Sequence, residues 1–119
     1  MEHSKEFIEL VENAKQNVDE VSVSETLKRM EQGAHLIDVR EDNEWDKGHA
    51  KGAVHLGRGI IERDILGKFP DKDAELILYC GGGFRSALSA ENLKKMGYRR
   101  VSSMAGGWGK WKEQNAPIE

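Results

Sequence analysis

The chain has 119 residues, of which 33% are charged and 38% hydrophobic, with a formal net charge of −3 and one cysteine. That length suits a single domain around one core, and no apolar run approaches the ~18 residues that a membrane-spanning helix needs. The first residues lack the basic start and apolar stretch of a secretory signal, and a lone cysteine forms no internal disulfide, so a reducing, cytoplasmic setting with no membrane partner is expected.

Residues 1–19 read as a helical extension packing on the domain that follows, because Phe7, Ile8, Leu10, Val11 and Ala14 recur at helical spacing. Residues 21–23 are predicted to form a short edge strand, with Ser24 capping a helix over 25–32 that turns Leu27 and Met30 inward and stops at Gly33. Residues 36–39 are a buried strand, and Asp38 and Arg40 at its carboxyl end are expected to point into the crevice where parallel sheets hold ligands, either acting there directly or forming a structural ion pair that ties loops together. Glu44-Trp45 opens a short helix, and Gly48-His49-Ala50 leads to a strand over 54–56. His49 is expected to hold neighbouring backbone groups, and the four histidines have no metal-ligand spacing with the cysteine. A helix then starts at Gly57-Arg58 and ends near Gly67. Residues 76–79 form another buried strand, and residues 101–104 form the last one before Trp111, which is expected in the core.

Between the strand at 76–79 and a helix with Ala87, Ala90, Leu93 and Met96 on one face lie Cys80, Gly81, Gly82, Gly83, Phe84, Arg85 and Ser86. The first N–H groups of a helix have no partner within it and carry the positive end of its dipole. Three glycines let the loop curl those groups inward as an anion cradle, and Arg85 adds a fixed positive charge. A thiol so placed is expected to ionise more readily than a free one. Cys80 is therefore the candidate nucleophile, with Gly81, Gly82, Gly83, Phe84, Arg85 and Ser86 as candidate substrate-binding residues. Residues 1–80 carry 11 basic and 18 acidic side chains and residues 81–119 carry 7 and 3, an asymmetry that draws small anions toward the thiol. The basic residues are neither dense nor interleaved with aromatics, so no nucleic-acid partner is expected.

The strands alternate with helices and the connections are long enough for parallel crossovers. The expected fold is α/β: one domain over residues 20–119, with a central parallel sheet of about five strands and helices on both faces. The loop Cys80-Gly-Gly-Gly-Phe-Arg85-Ser86 resembles the active-site loop of the rhodanese family. Asp38-Val-Arg40-Glu, Gly48-His-Ala-Lys-Gly-Ala53 and Gly106-Gly107 with Trp111 resemble further signatures of that family, in the right order over about residues 20–115. The resemblance implies a sulfurtransferase with Cys80 as the persulfide-forming nucleophile, Asp38 and Arg40 as supporting residues, and no cofactor or metal. Its partners would be a small anionic sulfur donor such as thiosulfate, a cyanide or thiol acceptor, and a sulfur-relay protein. Two other readings remain: a persulfide carrier docking to one relay protein, and a cysteine-dependent phosphatase or arsenate reductase. The second is weakened by the four residues between Cys80 and Arg85, one fewer than the Cys-x5-Arg cradle of those phosphatases.

Overall fold

A computed structural model of the protein describes residues 3–119. Its elements are α1 (Lys5–Lys15), β1 (Asp19–Val21), α2 (Val23–Glu31), β2 (His35–Asp38), α3 (Asp42–Asp46), β3 (Val54–His55), α4 (Ile61–Lys68), β4 (Glu75–Tyr79), α5 (Phe84–Lys95), β5 (Arg100–Met104) and α6 (Gly107–Glu113). The strands form one parallel sheet in the order β1-β5-β4-β2-β3. This is the single α/β domain that the alternation of elements predicts.

β4 lies at the centre and is apolar from Leu76 to Tyr79 because both its faces are covered there. On one face Leu36, Ile77, Tyr79 and Met104 pack against Val23 of α2 and Trp111 of α6. On the other, Ile37, Leu76, Leu78 and Cys80 pack against Ile61 and Ile65 of α4 and Ala90 and Leu93 of α5. Successive residues of a strand point to opposite faces, so Tyr79 and Cys80 belong to different cores. α1 lies outside these layers, with Val11 and Ala14 against Ala87 and Leu88 of α5. Ile8 and Leu10, counted in the same apolar pattern, stay exposed. No described helix is long and apolar enough to cross a membrane.

Several boundaries differ from expectation. β1 covers Asp19–Val21 rather than residues 21–23, and the cap of α2 is Ser22, whose hydroxyl accepts from the Glu25 N–H at 3.0 Å. The reason is tertiary. Val23 is buried to 2% exposure, and it enters the core as the first helical residue, which leaves Ser24 in the first turn and the cap to Ser22. α4 ends at Lys68, beside Gly67 as expected, but it begins at Ile61 rather than at Gly57-Arg58.

Candidate active site

Cys80 is the first residue beyond β4, at the carboxyl edge of the sheet. The chain then turns through Gly81, Gly82 and Gly83 into α5, whose N-cap Gly83 has φ 98°. That left-handed conformation is costly for any residue with a Cβ. It directs the Gly83 N–H at Cys80 Sγ, 3.0 Å away. Sγ also lies 3.5 Å from Ser86 Oγ, which in turn is 2.8 Å from Ser103 Oγ of β5. The sulfur thus sits at the amino end of a twelve-residue helix, where orphan N–H groups and the dipole favour negative charge.

The loop is held from below by the turn that opens α6. The Trp108 N–H donates to the Cys80 carbonyl at 2.7 Å, and the Gly109 N–H donates to the Gly81 carbonyl at 3.2 Å. This close approach needs Gly107, where φ is 52° and an added Cβ would overlap the Cys80 carbonyl oxygen. The glycines that close the chain are therefore a fixed floor for the cysteine loop.

A cavity of about 580 Å³ opens over the sulfur, lined by His3, Phe7, Arg58, Cys80, Gly82, Phe84 and Arg85. Of the loop residues expected to meet substrate, Gly82, Phe84 and Arg85 reach this cavity. Gly81 and Gly83 shape the loop behind it, and Ser86 is fully buried against Cys80 and Ser103 rather than lining it. Arg85 is paired with Glu44 of α3 through two bonds, Nη1 to Oε1 at 2.9 Å and Nη2 to Oε2 at 3.2 Å. That hydrogen-bonded pair holds the Glu44 carboxyl down at about 2 and raises Arg85 further above its ordinary value. Arg58, on the turn after β3, makes no side-chain ion pair or hydrogen bond among the described residues.

Asp38 and Arg40 do not enter the Cys80 crevice, contrary to the expectation from their strand position. Asp38 pairs in register with Tyr79, and both side chains lie on the sheet face opposite the sulfur. Arg40 Nε and Nη2 grip the Asp38 carboxylate at 2.8–3.1 Å, and Nη2 also donates to the Gly48 carbonyl at 2.8 Å. The Tyr79 hydroxyl donates to Asp38 at 2.6 Å and accepts from the Ala50 N–H at 3.0 Å. Burial opposes the Arg40 charge, but the hydrogen bonds and charge of Asp38 outweigh it and raise its pKa. Burial and the bond to Asp38 likewise push the Tyr79 phenol up. His49 is a loop imidazole, with Nδ1 3.1 Å from the Trp45 carbonyl.

Sequence reasoning missed three residues of the site's surroundings and discounted a fourth. Arg58 follows a strand just as Cys80 does, a position that marks it for the pocket, and the structure places it in the cavity lining. Phe7 stood in an apolar pattern that marks packing as well as it marks a cavity wall. His3 and Glu44 carried no local signal, because Phe84 and Arg85, their partners, lie far along the chain.

The rhodanese-like domain model matches residues 22–114. The thiosulfate sulfurtransferase GlpE of Haemophilus influenzae is 33% identical over 101 residues, 84% of this chain and 93% of that protein. The putative sulfur carrier protein YrkF of Bacillus subtilis is 30% identical over 102 residues, 84% of this chain but only 54% of that protein. Among solved structures, a Rhodopseudomonas palustris protein described as of unknown function and a possible tyrosine phosphatase superposes with a TM-score of 0.85 at 24% identity, over 100% of this chain and 98% of that one. At that identity the likeness shows the fold alone. The family match spans β2 to β5, the cysteine loop and the glycine floor together, and the chain belongs to the rhodanese-like domain family, among sulfurtransferases and sulfur carriers.

Proposed function

We propose that the protein is a sulfurtransferase that moves sulfane sulfur from a small anionic donor to a cyanide or thiol acceptor through a persulfide on Cys80. One observation carries the reading. The Cys80 sulfur, at the amino end of α5, receives the Gly83 N–H at 3.0 Å and faces an open cavity. The Cys80 thiolate attacks the outer sulfur of a donor such as thiosulfate. A bond forms between Sγ and that sulfur while the donor's sulfur–sulfur bond breaks, its electron pair leaving with sulfite. The Cys80 persulfide anion stays beside the helix N–H groups, which supply preorganised donors for it. The acceptor then attacks the terminal sulfur, and the electron pair of the persulfide bond returns to Sγ as thiolate. Asp38 and Arg40 act on this chemistry only through the scaffold.

The sulfur-carrier reading is favoured by the likeness to YrkF and shares the first half of this cycle. The phosphatase reading is opposed by the short Cys80-to-Arg85 spacing and by the Glu44 carboxylate already seated on Arg85, where a phosphate would need that guanidinium. The test is intact mass after thiosulfate treatment. A gain of about one sulfur atom is expected, reversed by cyanide and absent in Cys80→Ala. Multiple turnovers with cyanide or a small thiol mark an enzyme, whereas loading without turnover marks a carrier. An unchanged mass sinks both.

A further inference from the structure

β5 carries a hydroxyl where its surroundings call for an apolar side chain. Alternate residues of a strand share a face, so Ser103 lies with Val101 on the Cys80 side of the sheet, opposite Met104 and Trp111. Its register partner on β4 is Leu78. The faces of a covered parallel sheet are ordinarily apolar, and a hydroxyl buried there costs stability unless it is hydrogen-bonded. Ser103 and Ser86 of α5 are both 0% exposed, and Cys80 is 1% exposed. Among the described residues, Ser103 Oγ has one hydrogen-bond partner, Ser86 Oγ at 2.8 Å.

That bond extends to the sulfur, because Ser86 Oγ is also 3.5 Å from Cys80 Sγ. Each hydroxyl has a single proton to give. The Ser103 proton finds its acceptor in Ser86 Oγ, and the Ser86 proton is then left with Sγ. The chain of hydroxyls therefore runs one way, toward the sulfur. It offers Sγ a second donor beside the Gly83 N–H at 3.0 Å. A thiolate accepts both in full, whereas a neutral sulfur is a weak acceptor.

We infer that Ser103 is a positioning residue for sulfur discharge, holding the Ser86 hydroxyl on Cys80 Sγ through their 2.8 Å bond. The inference rests on the persulfide reading of Cys80. In the persulfide the negative charge sits on the terminal sulfur, and Sγ is a neutral, twice-bonded atom with little use for a donor. When cyanide attacks, its carbon bonds to the terminal sulfur and the sulfur–sulfur bond breaks. The electron pair of that bond returns to Sγ, and thiocyanate leaves. Two anions enter and two leave, and both serine protons stay on their oxygens. Charge thus grows on Sγ during discharge, where the aimed hydroxyl stabilises it. In loading, charge leaves Sγ, so the same bond holds the thiolate back.

The experiment times the two half-reactions separately by intact mass, loading from thiosulfate and discharge by cyanide, alongside the pH profile of Cys80 alkylation. Ser103→Ala is expected to slow discharge by about three- to tenfold, the scale of one net hydrogen bond. Its alkylation profile is expected to move to higher pH. Its loading at alkaline pH is expected to be about twofold faster, because a more basic thiolate is the stronger nucleophile. Ser103→Thr and Ser103→Val have nearly the same shape and differ in the hydroxyl, so packing strain cancels between them. Ser103→Thr is expected to discharge several-fold faster than Ser103→Val. In a Ser86→Ala background, Ser103→Ala is expected to change discharge no further, since Ser103 acts through Ser86. Equal discharge in Ser103→Thr and Ser103→Val, an unchanged discharge rate in Ser103→Ala, or an additive loss in the Ser86→Ala background overturns the inference while sulfur transfer stands. Loading and discharge slowed alike, with an unmoved alkylation profile, make Ser103 a packing residue and overturn it too. Failure of wild-type Cys80 to load sulfur overturns the transfer reading, and this inference with it.

Discussion

Arg85 stands at the mouth of the cysteine loop with its charge already answered by Glu44. The consequence is read most directly in acid. The Glu44 pKa falls from 4.5 to about 2 in the folded protein, chiefly through its hydrogen bond to Arg85. A carboxyl whose folded pKa lies below its unfolded one contributes stability above the unfolded value and loses it as pH falls toward the folded one. The contribution of Glu44 is therefore whole above about pH 4.5 and vanishes near pH 2. Both side chains are about one-third exposed, 33% for Glu44 and 31% for Arg85, so solvent screens the pair and about 1 kcal/mol is the ceiling. Glu44→Gln is expected to flatten the fall of thermal midpoint across that window, and calorimetry at stepped pH measures it. Parallel acid limbs in the two proteins would mean that the pair adds nothing to stability. At this scale the sequence shows what is local: Cys80, three glycines and Arg85 fall within one short run and declare an anion cradle by themselves. Glu44 declares nothing, because its role depends on a residue 41 positions away.

The elements were legible where one periodicity dominates. The apolar run of β4 and the buried stripe of α5 leave little choice, since a central parallel strand and a helix packed on it must show those patterns. Ends were less legible, because several residues of suitable type compete for each cap. Ser22 and Ser24 both suit an N-cap, and the burial of Val23 decides between them. Ser22→Ala is expected to lower unfolding free energy by about 1 kcal/mol, the usual cost of a lost cap. Ser24→Ala, whose hydroxyl meets only Ser22 Oγ at 3.2 Å, is expected to change it by less than about 0.5 kcal/mol. Urea unfolding of the two variants separates them, and equal losses would return the cap to shared duty. α1 illustrates the other limit. Its amphipathic pattern is plain, but a pattern names a face without naming what that face meets. Here Val11 and Ala14 meet α5, while Phe7, four residues earlier, reaches the cavity.

Across the whole molecule, the buried Asp38–Arg40 pair ties the sheet to the segments that frame the cysteine loop. Through Tyr79 it joins β2 to β4, through Gly48 and Ala50 it holds the loop before β3, and Arg40 lies 4.7 Å over the Trp108 ring of α6. Tyr79 immediately precedes Cys80, and the Trp108 N–H holds the Cys80 carbonyl, so the network grips the cysteine loop from the far side of the sheet. Strand order alone places Asp38 at the ligand edge. Only the register of β2 on β4, Asp38 against Tyr79, shows which face it takes, and register is invisible in a sequence whose strands are apolar on both sides. Removing one member of a buried pair leaves the other charge without compensation, which costs about 3–5 kcal/mol. Asp38→Asn is expected to destabilise by about that amount, and Tyr79→Phe by about 1–3 kcal/mol, since it deprives both Asp38 and the Ala50 N–H of a partner. Both variants are expected to load sulfur more slowly than wild type below their unfolding transitions, because a loosened floor no longer holds Cys80 under the α5 N–H groups. Urea midpoints and the rate of persulfide formation from thiosulfate check the two halves separately. A large loss of stability with an unchanged loading rate would confine the network to holding the fold, and an unchanged midpoint would make the ion pair a bystander to both.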